Sequence, residues 1–103
     1  VVDDLFQQRV GDALRDAVRS LPEADRALLR ERIVDDVDVE QIARAHGLHR
    51  VTVSKRFTAI RRRIFELTRA TFADRIGARP SECDSLFRAL RDRIDTGIKA
   101  ALS

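Results

Sequence analysis

The chain has 103 residues, of which 36% are charged, and its formal net charge is +3. This length fits one domain with a short appendage. One cysteine, Cys83, excludes an internal disulfide, no Cys/His group has zinc-ligand spacing, and no apolar run reaches the roughly 20 residues that span a bilayer. We therefore expect a cytoplasmic protein with no metal and no cofactor. Because the chain opens on Val1 and directly in a helical pattern, we also expect it to be a piece of a longer protein.

The charges are distributed unevenly along the sequence. Residues 1–40 hold 11 acids and six bases, whereas residues 41–66 hold seven bases and one acid, Glu66. No Asp or Glu occurs between Gln41 and Phe65. A basic block of this kind argues for a polyanionic partner more strongly than the total charge does.

Apolar residues recur at helical spacing almost throughout the chain, which predicts an all-α fold. A first helix covers about residues 1–20 and contains Gly11, which we attribute to close packing by a neighbouring helix. Ser20-Leu-Pro-Glu23 reads as a capping box that starts a second helix. Asp38 then reads as the N-cap of a short third helix. Gly47 ends it, in the left-handed conformation that is cheap only for glycine.

A fourth helix is predicted from about Arg50 to Ile76, with Gly77 and Pro80 after it. Ser81-x-x-Asp84 predicts the cap of a last helix. We therefore divide the chain into residues 1–65 and a helical extension, 66–103, which we expect to pack on the same domain, chiefly on the first helix. A role of this extension in dimerisation or partner binding stays open.

Residues 39–58 have the pattern of a helix-turn-helix. Two helices that cross steeply need a small residue at the crossing, a turn residue that tolerates positive φ, and apolar side chains between the helices. Ala43 meets the first need and Gly47 the second. The apolar contact is predicted from Ile42, Leu48 and Val53.

The second helix of such a motif enters the major groove of DNA with its N-terminus first. Helical geometry predicts which side chains face the DNA, and the lack of acids around them suits the nearby phosphates. Arg62, four residues beyond Thr58, is the predicted phosphate contact within Arg61-Arg62-Arg63. The full predicted DNA-binding set is His49, Arg50, Val51, Ser54, Lys55, Thr58 and Arg62.

With this motif located, residues 20–63 resemble region 4 of bacterial RNA polymerase sigma factors of the sigma-70 family. The resemblance lies in the order of a Leu-Pro-Glu start, an arginine-rich helix, an acidic turn, Glu-x-Ile-Ala, Gly-Leu, and a helix that runs into Arg-Arg-Arg. It implies recognition of the promoter −35 element in transcription initiation. Its implied partners are double-stranded promoter DNA and the β-subunit flap of the RNA polymerase core, with an anti-sigma factor or an activator as further candidates.

The resemblance also implies roles for single residues. Arg50, Val51, Ser54 and Lys55 would read bases, and the apolar Val51 would contact a thymine methyl group. The positions implied near backbone phosphates are Arg30, Arg32, Val39 and Glu40. No counterpart of sigma region 2 is present in the sequence.

Two other functions stay open from the residues alone. The same motif occurs in transcription regulators and recombinases, and a helical module could bind proteins without touching DNA. No Ser, His and acid occur at a catalytic spacing, and no phosphate-binding loop is present, so we do not expect an enzyme. His46 and His49 lack the further ligands that a metal site needs.

Overall fold

The computed structural model describes residues 2–76, 88, 91 and 94–102. Five α-helices occur in these residues, with no strand among them, which confirms the predicted all-α class. None of the described helices is long and apolar enough to cross a membrane. The predicted stops and caps at 77–84 lie outside the described residues. The helices are α1 (Val2–Arg19), α2 (Glu23–Leu29), α3 (Val39–His46), α4 (Arg50–Ile76) and α5 (Ile94–Leu102), and a π-helical segment, Arg30–Val34, continues α2.

The junction between α1 and α2 differs from the predicted capping box. The Ser20 hydroxyl donates to the carbonyl oxygen of Ala17 at 2.7 Å, at the end of α1, and is not bonded to the start of α2. Pro22 is the N-cap, with no side-chain cap hydrogen bond, and its carbonyl accepts from Arg26 N–H at 3.1 Å. The capping-box prediction was wrong because the serine hydroxyl instead bonds a carbonyl at the end of the preceding helix. Asp38 is the N-cap of α3 as predicted, but likewise without a side-chain hydrogen bond.

The chain turns from α2 into α3 through the π-helical segment. The N–H of Asp35 donates to the carbonyl of Arg30 at 2.9 Å, a bond across five residues that widens the last turn. Asp36 then has φ of 55°, the left-handed region that aspartate tolerates better than most residues. The acidic stretch predicted as a turn is therefore a turn, and it leads into α3, which contacts the π-helical segment.

The core lies where α1 and α4 run against each other, and α5 packs on α1 and on the π-helical segment. Its side chains come from every described helix, at the helical spacing that the sequence predicted. The buried cluster consists of Leu14, Ala17, Val18, Leu21, Leu28, Leu29, Ile42, Ala43, Val53, Phe57, Ile60, Ile64, Ile94, Ile98 and Leu102.

Two glycines inside helices have different surroundings. A Cβ at Gly97 of α5 would overlap the side chain of Leu14 in α1, so the two helices approach closely there. A Cβ at Gly11 would meet no described atom within 4 Å. Close packing therefore explains Gly97, whereas the described residues give Gly11 no close neighbour.

Helix α5 is also tied to α4 by an ion pair. Arg61 donates through Nε to the carboxylate of Asp95 at 2.7 Å. Helix α4 runs without a break from Arg50 to Ile76, so the boundary that we placed after residue 65 falls inside it. The extension therefore begins as the second half of the same helix that follows the turn at Gly47.

Candidate nucleic-acid interface

The turn between α3 and α4 is a Schellman motif built on Gly47. This glycine has φ of 66°, as predicted. Leu48 N–H donates to the carbonyl of Ala43 at 2.8 Å, and Gly47 N–H donates to that of Arg44 at 3.3 Å. The two bonds satisfy carbonyls that the end of α3 would otherwise leave unpaired. They also set the angle at which the chain enters α4.

The crossing between α3 and α4 is apolar and closed. Ile42 and Val53 are each 1% exposed, and Ala43 is buried beside them. Leu48, which we placed in this contact, is 39% exposed. That prediction was wrong because the left-handed turn at Gly47 carries Leu48 past the crossing, and the three other side chains fill it.

His49 caps the start of α4. Its ring Nδ1 accepts a hydrogen bond from the N–H of Val51 at 3.1 Å, and its carbonyl accepts from the N–H of Val53 at 3.2 Å. A histidine thus does what Ser, Asp or Asn usually does at an N-cap. His49 is placed beside the predicted DNA face, but it does not line the groove described next.

The exposed face of α4 and the start of α3 form an open groove of about 780 Å³. Six of the seven predicted DNA-binding side chains line it together: Arg50, Val51, Ser54, Lys55, Thr58 and Arg62. The remaining lining residues are Asp38, Val39, Glu40 and Ala59. The structure therefore gathers the predicted set, apart from His49, on one continuous surface.

The electrostatics of this groove are mixed. Arg50 donates through Nη1 to Glu40 Oε1 at 3.4 Å, and both side chains are exposed. Lys55 and Arg62 are exposed and form no ion pair within the described part of the chain. Two cations are thus available to an anionic ligand, whereas a third is held by a carboxylate.

The family model described as "Sigma-70, region 4" matches residues 11–64, which is more than half of the chain. The chain belongs to the sigma-70 region 4 family. A search of curated proteins and a search of solved structures each found no match. The matched range contains α1 from its middle, α2, α3 and the first half of α4, and therefore the whole groove. Region 4 is a DNA-binding domain of transcription initiation, which agrees with the function that the sequence predicted.

In this region 4 domain, two arginines of α4 that lie off the groove, Arg56 and Arg61, have structural partners. Arg61 bonds to Asp95 and lies over the ring of Phe57, 5.7 Å from its centroid. Arg56 donates through Nε and Nη2 to Asp25 Oδ1 at 3.3 and 3.1 Å, which ties α4 to α2. Sequence reasoning missed these pairs because the partners lie 34 and 31 residues away along the chain.

Other predicted contacts are placed less directly on the groove of the region 4 domain. The Thr58 hydroxyl donates to the carbonyl of Ser54 at 3.1 Å, so what it offers outward is its methyl group and its remaining acceptor capacity. Arg32 pairs with Asp36 at 3.4 Å and lines a separate recess together with Arg61 and Asp95. Arg30 is exposed and does not line the groove.

A cluster of metal-ligating side chains is absent from the part of the region 4 domain that the structure describes. It contains no group of three or more His, Cys, Asp or Glu side chains that could hold an ion. His46 instead contacts Glu31, with 3.1 Å between Nε2 and Oε2. This contact joins α3 to the π-helical segment and thereby supports the orientation of the helix-turn-helix.

Proposed function

We propose that this chain recognises the promoter −35 element as region 4 of a sigma factor bound to RNA polymerase. The observation that carries the proposal is the groove, because it unites six side chains that a major-groove reader needs. It holds hydrogen-bond donors, an exposed apolar side chain and two available cations on a helix whose N-terminal end is exposed. This is the arrangement by which the second helix of such motifs reads base edges.

Three side chains at the start of α4 are assigned to bases. The guanidinium of Arg50, 66% exposed, can donate two parallel hydrogen bonds to O6 and N7 of guanine. Val51 is 46% exposed and has no polar atom in its side chain, so its partner is a thymine methyl group. Ser54, one turn further along, can donate to or accept from the next base.

Arg62 is assigned to the DNA backbone, whereas Lys55 is the fourth member of the base-reading set that the resemblance to the family implies. Arg62 lies 12 residues after Arg50, which is about 18 Å along the helix axis at 1.5 Å per residue. At that distance from the helix start, a long cationic side chain meets the phosphates that border the groove, and no longer the base edges. Phosphate contacts of this kind fix orientation, whereas base contacts give specificity.

The polymerase partner is proposed from the family. We assign the second binding surface to the β-subunit flap, with an anti-sigma factor or an activator as further partners, in a cytoplasmic setting. A transcription regulator or recombinase tail with the same motif need not bind the flap. Co-precipitation of the full chain with the isolated β flap therefore distinguishes a sigma factor from these alternatives. A failure to co-precipitate would contradict the sigma assignment.

The DNA assignment is tested by selecting duplexes from a randomised pool and measuring affinity for the enriched sequence. The logarithm of affinity should fall linearly with the logarithm of salt concentration, by about 0.9 per phosphate neutralised. Arg50→Ala should cost about 1–3 kcal/mol and relax preference at one base pair. Arg9→Ala, which removes an exposed arginine of α1, is the matched control and should change neither the affinity for the duplex nor the base preference.

If the chain were instead a helical module that binds proteins and not DNA, a duplex should leave the groove unperturbed. Titrating the labelled chain with the enriched duplex should perturb NMR chemical shifts at 49–58 if the groove is the interface. Shifts that avoid 49–58, or salt-independent binding to any polymer, contradict the DNA assignment. If Arg50→Ala weakens all sequences alike, Arg50 contacts phosphate and not a base.

A further inference from the structure

Two carboxylates line a groove that is otherwise suited to DNA. Asp38 and Glu40 lie on the wall contributed by the start of α3, opposite the side chains of α4. A carboxylate beside a phosphate is repelled, so acids at such a surface need a reason. Glu40 differs from Asp38 in one respect: of these two acids, Glu40 alone forms an ion pair within the described residues, and it pairs with Arg50 across the groove.

The Glu40–Arg50 contact leaves Arg50 able to bind a base. A guanidinium has five N–H donors, and Glu40 takes one from Nη1 at a distance of 3.4 Å. The donors of Nη2 and Nε are not engaged within the described residues, and two parallel donors are what the O6 and N7 edge of guanine accepts. Glu40 itself stands on α3, which the buried crossing at Ile42 and Val53 holds rigidly against α4.

The same contact opposes binding of Arg50 to the DNA backbone. A phosphate on Arg50 would bring a full negative charge next to Glu40, whereas a guanine edge carries only partial charges. A guanidinium that Glu40 restrains also loses less conformational entropy on binding than one that moves freely. Both effects favour a base edge over a phosphate.

We infer that Glu40 is a positioning residue for specificity: it orients Arg50 toward a base edge and suppresses its contact with phosphate. The inference rests on the proposed DNA-binding function and names a further determinant of it. It requires that Glu40 act through Arg50, and that Asp38 act only as a charge. These requirements can be measured separately.

The experiment compares Glu40→Gln with Asp38→Asn in the full chain. Both remove one carboxylate from the same wall, and Asp38 makes no side-chain cap bond that Asn would break. The probes are the duplex enriched from a randomised pool by the wild-type chain and its variants at the base pair that Arg50→Gln no longer distinguishes. Affinity is measured over a series of salt concentrations, and each variant is melted to verify its fold.

Glu40→Gln should lower discrimination at that base pair by about fivefold, the lower end of what one bidentate base contact provides. It should also steepen the log–log salt slope by up to about 0.9, because Arg50 is then free to bind a phosphate. Asp38→Asn should raise affinity for all duplexes alike and leave discrimination unchanged. In an Arg50→Gln background, Glu40→Gln should no longer change discrimination.

Several results overturn the inference. If Glu40→Gln and Asp38→Asn behave alike, Glu40 is only a charge. If the loss of discrimination persists without Arg50, Glu40 acts by another route. If Glu40→Gln does not fold, Glu40→Asp replaces it, because aspartate keeps the charge but is one methylene too short to reach Arg50 in the same way. Unchanged discrimination in Glu40→Asp would then overturn the inference. A wild-type chain that enriches no sequence overturns the proposed function itself.

Discussion

The packing of α5 against α1 can be measured with a pair of glycine substitutions. Gly97 and Gly11 both lie inside helices, so alanine at either position should gain up to about 1 kcal/mol of helix propensity. Their surroundings differ, because a Cβ at Gly97 overlaps the buried Leu14 side chain and a Cβ at Gly11 meets no described atom within 4 Å. Gly11→Ala is therefore the matched control for Gly97→Ala.

The magnitudes follow from overpacking. Forcing an extra methyl group into a packed contact costs about 1–3 kcal/mol. The propensity gain is common to both variants, so their free energies of unfolding should differ by that overpacking cost. A domain of this size shifts in Tm by roughly 4–8 °C per kcal/mol. Gly11→Ala should therefore melt above the wild-type chain and at least about 4 °C above Gly97→Ala.

The assay is thermal unfolding followed by far-ultraviolet circular dichroism, with urea unfolding as a second measure. Leu14→Ala in combination with Gly97→Ala should restore room for the methyl group, so the two changes should couple favourably. Equal stabilisation by the two alanines would refute the close approach of α5 to α1. So would a Gly97→Ala penalty that is unchanged when Leu14 is shortened.

Three further predictions concern α4 and the turn before it. Arg62→Ala should make the log–log salt slope of duplex binding shallower by about 0.9 without changing Tm. Arg61→Ala should instead lower Tm, because it removes the ion pair with Asp95, and should leave the slope unchanged. His49→Ala should cost about 0.5–2 kcal/mol of stability by removing the N-cap, and His49→Asn should recover most of it in urea unfolding. Gly47→Ala should cost about 1–2 kcal/mol because of its positive φ, and Gly47→Asn should cost less.

The helices and the groove were predictable because they depend on local patterns. Helical spacing of apolar residues gave α4 its full extent, Arg50–Ile76, and a glycine between two such patterns gave the left-handed turn at Gly47. Once a helix is known, its exposed face follows from 3.6 residues per turn. That is why six predicted side chains lie together on one groove.

The predictions that were wrong required a choice between neighbours. Ser20 could bond forward to α2 or back to α1, and only the folded chain shows that it bonds to Ala17. Leu48 could fill the crossing or lie beyond it, depending on the direction in which the turn leaves α3. Gly11 and Gly97 look alike in sequence, yet among the described residues Gly97 alone of the two is in close contact, with Leu14. The first two choices depend on the local backbone geometry at a helix end, and the third depends on a contact between residues far apart along the chain, Gly97 and Leu14.

The basic block from 41 to 66 shows the same limitation for charge. Its seven bases suggest one positive surface, but Arg56 and Arg61 are paired with Asp25 and Asp95, and these pairs hold α4 to the rest of the fold. If all seven bases neutralised a phosphate each, the log–log salt slope of DNA binding would be about −6. If only the five other bases did so, the slope would be at most about −4.5. The remaining bases are Arg44, Arg50, Lys55, Arg62 and Arg63. If Glu40 also withholds Arg50 from phosphate, the limit is about −3.6. A measured slope near −6 would mean that these ion pairs break when DNA binds, and that the basic block acts as the single surface that its sequence suggests.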